Sequence, residues 1–247
     1  MFTLLNIVYN VNTFMCGTAM GTTERRARER EEMRKRILDA ARNLFASEGY
    51  EAVTLRKVAD CIEYCPATIY KYFQDKDEMV RALCDQDIRD MMAKFQPNLA
   101  RKTPLERLYS FGLTYIRMGL EQPNHYRLMF MTPLLPQDDP LLAQKKADPE
   151  TDSYGLFLSV VQQCVDAGVF RPDLADAHFI AQTFWAALHG VISLHIAFGE
   201  SGEHDWRPVR ERAIFMLQLV TEGMMRPGVP TCSIRALADE TDACIAA

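Results

Sequence analysis

What the chain lacks narrows its function first. No run of 18 apolar residues free of charge occurs in its 247 positions, so no segment reads as a transmembrane span. CxxC pairs are missing, and the seven cysteines, at 16, 61, 65, 84, 164, 232 and 244, are odd in number. That usage argues against a disulfide framework and fits the reduced thiols of a cytoplasm. The apolar, Asn/Thr-rich stretch before Met20 has no positive region ahead of it, which makes a poor secretory signal. Residues 1–23 are expected to be a disordered or misannotated extension, with Met20 as an alternative start. GxSxG, a phosphate-binding glycine loop and HExxH are all absent, which argues against a helical enzyme. None of the five histidines has a carboxylate, His or Cys partner at a ligand spacing, so neither a metal nor a cofactor is implied. No alternating strand pattern competes with the helical periodicities, and the fold class expected is all-α.

What is present is a chain with 48% hydrophobic residues, enough to fill a core, and a net charge of -5 that is unevenly spread. Residues 24–76 hold twelve Lys/Arg against ten Asp/Glu, and the rest of the chain holds sixteen against twenty-three. A slightly basic end on an acidic body suits a polyanion at that end alone. From Glu31, apolar residues recur at spacings of three and four through Phe45, with Gly49 as a stop. Thr54 is an N-cap for a short second helix, with Val53 and Val58 at staple positions. Pro66 opens a third helix after a three-residue turn, which makes a helix-turn-helix. Asp75 and Glu78 cap a fourth helix that runs to about Phe95, and Thr103-Pro104-Leu105-Glu106 caps the next. Further helices are expected at 123–131, 152–167, 174–198 and 207–225, with a Pro- and Asp-rich loop at 133–149. The predicted domains are 24–76 for DNA binding, 77–102 for a connecting helix and joint, 103–226 for a helical body, and 227–247 for an irregular tail.

Val58, Ala59, Thr68, Ile69, Tyr70, Tyr72, Phe73 and Lys76 carry a resemblance to the TetR family of transcriptional regulators. Residues 104–226 resemble one of its ligand-binding domains, the type marked by a tryptophan, a histidine and a glycine, here Trp185, His189 and Gly190. The resemblance implies a dimeric repressor released from a double-stranded operator by a small-molecule effector, with no membrane partner. A DNA-binding factor without an effector is the alternative, and a helical enzyme the remote one.

The chemistry of the residues agrees. Thr54, Thr68, Tyr70, Tyr72 and Lys76 suit phosphate clamps, while Pro66, Ala67 and Lys71 stand where a reading helix meets base edges. Cys65 takes the place of the family's usual serine at the start of that helix, where the helix dipole favours a thiolate. Glu63 stands at a turn position where the family often has glycine, at a cost of roughly 1 kcal/mol if φ there is positive. The arginines at 25, 26, 28 and 30 suit a groove or phosphates, or a solvated face interleaved with glutamates. Aromatic and Met side chains in the body suit a cavity for varied apolar ligands, lined by Tyr115, Met118, Phe157, Trp185 and His189. In the resemblance, helices 174–198 and 207–225 form the dimer, through stripes at Ile180, Phe184, Leu188, Val191 and His195 and at Phe215, Leu219 and Val220.

Overall fold

The computed structural model describes residues 21–243 apart from 133, 137, 149, 200–203 and 232. Of the extension expected at 1–23, residues 1–20 lie outside these, as do Cys16, Cys232 and Cys244, whereas Thr22 and Thr23 belong to the first helix. Helix α1 (Thr22–Glu48) starts earlier than the apolar periodicity predicts. Its first turns have no apolar stripe, and exposed i,i+4 pairs hold charges along them instead, Arg25 with Glu29 at 3.5 Å and Arg28 with Glu32 at 3.8 Å. The arginines at 25, 26, 28 and 30 therefore ride on a helix rather than on an extended arm. Gly49, at φ 82°, ends α1 in a conformation that a side chain would strain.

Helix α2 (Leu55–Cys61) begins on the Thr54 side chain, which accepts from the Lys57 amide at 3.2 Å, and Val53 and Val58 are both fully buried. Helix α3 (Pro66–Ile69) is a single turn with proline at its first position. Between them Glu63 has φ 61°, alone among the described non-glycine residues in being positive. Glu63→Gly is therefore expected to stabilise the protein by roughly 1 kcal/mol, because glycine removes the Cβ penalty of the left-handed region. A thermal melt reads this as a rise of about 2 to 4 °C; a fall would mean that the Glu63 side chain contributes more than its backbone strain costs. Helix α4 (Lys76–Phe95), capped by Asp75, adds Met79, Val80 and Leu83 to the core made by Ile37, Leu38, Phe45, Val58, Ile69 and Phe73.

A 3-10 turn, Gln96–Ala100, leads into α5 (Pro104–Glu121), whose start shows the predicted capping box between Thr103 and Glu106. Helix α5 is buried on nearly every side because α6 (Pro123–Phe130), α8 (Ser153–Asp166), α9 (Ala177–Phe198) and α10 (Val209–Met224) surround it. Two glycines allow that approach: an added Cβ would stand 2.6 Å from a Leu217 methyl at Gly112 and 2.5 Å from Ile192 Cγ2 at Gly119. Among the described residues there is no strand, only an isolated bridge between Phe170 and Met225.

Two expectations are corrected. The segment predicted as loop contains helix α7 (Pro140–Ala147). The tail predicted as irregular forms α11 (Ile234–Ala243), whose Ile234, Leu237 and Ala238 are buried against the core containing α5. Three apolar residues in one short window are too few to show a period, yet their spacing of three and four makes one face once a groove receives them. Against the expectation that no segment reads as a transmembrane span, helix α9 is 22 residues long and apolar enough for one by length and composition alone. Here it packs against α5, α8 and α10, with Phe179, Leu194 and Phe198 left exposed.

Candidate functional sites: reading head and aromatic cavity

The turn and short helix after α2 present the predicted DNA-facing residues in one segment. Cys65, Ala67, Tyr70 and Lys71 are exposed, Pro66, Thr68 and Tyr72 partly so, and Tyr70 keeps 58% of its surface. Thr54 spends an oxygen lone pair on its cap, which leaves its hydroxyl hydrogen free to donate outward. Lys76 has a partner within the chain. Its ammonium donates to the Tyr50 carbonyl and lies 3.8 Å from the Tyr50 ring, tying the start of α4 to the α1–α2 loop. The Cys65 thiol is held below its ordinary value chiefly by the Thr68 hydroxyl at 3.3 Å and the Thr68 amide. A one-turn helix offers little dipole, and these local donors replace it.

Between reading head and body lies a buried polar junction. Arg42 on α1, 3% exposed, donates from Nη2 to Asp87 on α4 at 2.6 Å, and Asp87 is 2% exposed. Asp39 takes a second Arg42 nitrogen at 2.5 Å, and His125 on α6 reaches Asp87 at 3.4 Å. Along α6, Asn124 donates to Asn43 at 3.1 Å, and Arg127 donates to the carbonyls of Ala46 at 3.3 Å and Ile196 at 3.4 Å. Leu128 belongs to the N-terminal core and Tyr126 to the C-terminal one. Helix α6 is thus shared by both halves.

In the body, α4, α5, α6, α8 and α9 line a half-open cavity of about 100 Å³ with an aromatic wall. Phe111 stacks on Phe95 with centroids 5.0 Å apart, and Phe157 packs on Phe184 at 5.6 Å. Of the predicted ligand residues, Tyr115, Phe157 and Trp185 line it. Met118 and His189 do not. Met118 is 4% exposed inside the core, because its position on α5 turns it away from the cavity. His189 stands one layer behind, its Nδ1 2.7 Å from the Tyr126 hydroxyl, which in turn is 2.7 Å from that of Tyr115. Burial holds His189 below the usual histidine range. The sequence reading missed Met91 and Phe95, which line the wall from α4, and Tyr126, the centre of the hydroxyl chain. The apolar spacing on α4 was visible, but not that its last turns leave the first core for the second.

The predicted dimer stripe on α9 is also rephased. Ile180, Phe184 and Leu188 are buried within the chain, and Phe179, Ala186, Leu194 and Phe198 occupy the exposed face. On α10 the predicted Phe215 and Leu219 are outward, 63% and 52% exposed. A helix apolar all round carries no phase in its composition, so only packing selects which stripe goes inward.

A helix-turn-helix head joined through a shared helix to an all-helical, cavity-bearing body defines a DNA-binding regulator of the one-component kind. Family comparison agrees in both halves: residues 37–83 match the model for bacterial regulatory proteins of the tetR family, and residues 108–221 match the tetracyclin repressor-like C-terminal domain. The chain belongs to the TetR family and is a ligand-responsive, DNA-binding transcriptional repressor. Among its relatives is the HTH-type transcriptional repressor KstR2 of Mycobacterium tuberculosis, 28% identical over 168 residues that cover 63% of this chain and 79% of that protein. Similar solved structures include the fatty acid degradation regulator FadR from Bacillus halodurans, with TM-score 0.63, 18% identity and coverage of 78% of this chain and 97% of that one. A TetR family regulator from Marinobacter aquaeolei is similar at TM-score 0.60, 19% identity and coverage of 80% and 98%.

Proposed function

We propose that the protein acts in the cytoplasm as a homodimer on a two-fold symmetric operator, and that a small molecule filling the aromatic cavity releases it. One observation carries this reading: the cavity wall includes Met91 and Phe95 of α4, the helix whose first turns pack in the DNA-binding core through Met79, Val80 and Leu83. A ligand that demands more room at Phe95 tilts the rod on which the reading head sits. Helix α6 supports the same reading, since Phe130 lines the cavity and Asn124 and Arg127 grip α1. The ligand needs a preference of roughly 1 to 3 kcal/mol for the conformer with misplaced heads to shift operator affinity usefully. The outward stripes of α9 and α10 support the dimer, whose two-fold axis sets the operator's symmetry.

Operator fragments selected from genomic DNA test the reading head. With such a fragment, Tyr70→Ala is expected to weaken binding alike on all sequences, as loss of a phosphate contact does. Lys71→Ala is expected to cost about 1 to 3 kcal/mol and to relax discrimination at one base pair. Equal effects of both variants on operator and random DNA would remove Lys71 from base reading.

The cavity is tested by Phe157→Trp, which fills space between Phe111 and Phe184. The variant is expected to keep its operator affinity and to stay bound at effector concentrations that release the parent protein. In a solid core the same change overpacks, at a typical cost of about 1 to 3 kcal/mol. A variant that melts earlier yet is still released would count against the cavity.

A further inference from the structure

The corner of the cavity at Tyr115 holds a hydrogen-bond chain whose direction is constrained. Trp185 Nε1 donates to the Tyr115 hydroxyl at 2.9 Å, and an indole N–H can only donate. Tyr115 and Tyr126 hydroxyls are 2.7 Å apart, and Tyr126 is 2.7 Å from His189 Nδ1. Each phenol has one hydrogen to give. Burial pushes Tyr115 up to about 12 and Tyr126 higher still, so both keep that hydrogen at neutral pH. The chain then has two complete states. In one, Tyr115 donates to Tyr126, which donates to a bare His189 Nδ1. In the other, Tyr115 points its hydrogen into the cavity, Tyr126 donates back to Tyr115, and His189 Nδ1 carries the proton and donates to Tyr126.

The remaining wall excludes one ligand class. None of the residues lining the cavity is Asp, Glu, Lys or Arg, so a charged group on a ligand would be desolvated there without a partner. With the Trp185 N–H held on the Tyr115 oxygen, the Tyr115 O–H is the donor this corner can turn toward a ligand, and the group it meets has to be an acceptor such as a carbonyl oxygen; Ser153 and Tyr154 bring the other polar side chains of the lining. Resting on the cavity being the effector site, we propose that the effector is an uncharged, ring-bodied molecule whose hydrogen-bond acceptor, a ketone or ester carbonyl, accepts a hydrogen bond from the Tyr115 hydroxyl and reverses the chain to His189. Each phenol keeps its own hydrogen as the chain turns, and the half-buried imidazole releases its Nε2 proton to water and takes one from water at Nδ1, changing tautomer with no net gain of charge.

Three probes of similar shape test this: acetophenone with an acceptor, ethylbenzene with no polar group, and benzoate with a charge. The parent protein should bind acetophenone about tenfold more tightly than ethylbenzene, the worth of one buried hydrogen bond, and benzoate more weakly than either. Tyr115→Phe should erase the preference for acetophenone while leaving ethylbenzene binding in place. In the parent protein, nitrogen NMR should find His189 Nδ1 protonated with acetophenone bound and unprotonated with ethylbenzene bound, a readout that does not depend on the variant folding. Tighter binding of benzoate, a preference that survives Tyr115→Phe, or an unchanged His189 tautomer each overturns the inference while the cavity stands. Failure of ethylbenzene and acetophenone alike to bind overturns the cavity reading, and the inference falls with it.

Discussion

Asp87→Ala is expected to destabilise the protein by about 3 kcal/mol, the lower end of the range for breaking a buried ion pair, and to lower its melting temperature by about 6 to 12 °C. Arg42 is 3% exposed and donates to Asp87 from two nitrogens, Nη2 at 2.6 Å and Nε at 3.2 and 3.4 Å to the two carboxylate oxygens. A guanidinium cannot shed its proton, so removing the carboxylate leaves a buried cation rather than a neutral group. Asp39, with a side chain 46% exposed and 2.5 Å from Nη1, offsets part of that loss, which is why the lower end is chosen. The double variant Arg42→Met, Asp87→Leu should recover most of the stability, since apolar groups of similar size in place of a buried pair are often neutral or better. Thermal melts of the parent, the single variant and the double variant make the check. A loss below about 1 kcal/mol for Asp87→Ala would mean that water reaches Arg42. Because the pair joins α1 to α4 and His125 brings α6 to it, the single variant should also blunt coupling between effector and operator.

The second large effect is expected at the outward face of α9 and α10. Phe215 is 63% exposed and Leu219 52%, beside Phe179 and Leu194 from α9, an apolar surface that no element among the described residues covers. In a two-fold dimer each substitution appears twice. Phe215→Glu should therefore cost about 2 kcal/mol per copy as a charge buried in a desolvated centre, weakening the dimer on the order of a thousandfold. With the proposed homodimer as the parent's state, the parent should sediment as a dimer at micromolar concentrations and the variant as a monomer, with operator affinity lost in step. Its melting should change little by comparison, because Phe215 contributes little to the fold of the single chain. A variant that still sediments as a dimer would place the interface elsewhere.

How much was legible beforehand follows the range of each interaction. Caps and stops act within four residues, so Thr54, Asp75, the Thr103–Glu106 box and Gly49 could all be read from spacing, and each ends or begins a helix as expected. The strained turn at Glu63 was raised by the resemblance, since family members often carry glycine there, and its φ of 61° meets the condition set for a strained turn. The partner that Lys76 has within the chain was not legible, because Tyr50 lies 26 residues away in another loop. The extra helix α11 needed a groove beside α5 before its three apolar residues had anything to cover.

The sequence by itself determined the helical class, the reading head and its exposed residues, because periodicity, caps and a proline at a helix start are encoded locally. Tertiary structure alone decided which stripe of α9 faces inward, which aromatic residues close into one cavity, and that α4 and α6 belong to both cores. Those outcomes depend on crossing geometry between helices far apart in the chain, and an apolar residue has the same composition whether it meets a core, a cavity or a partner.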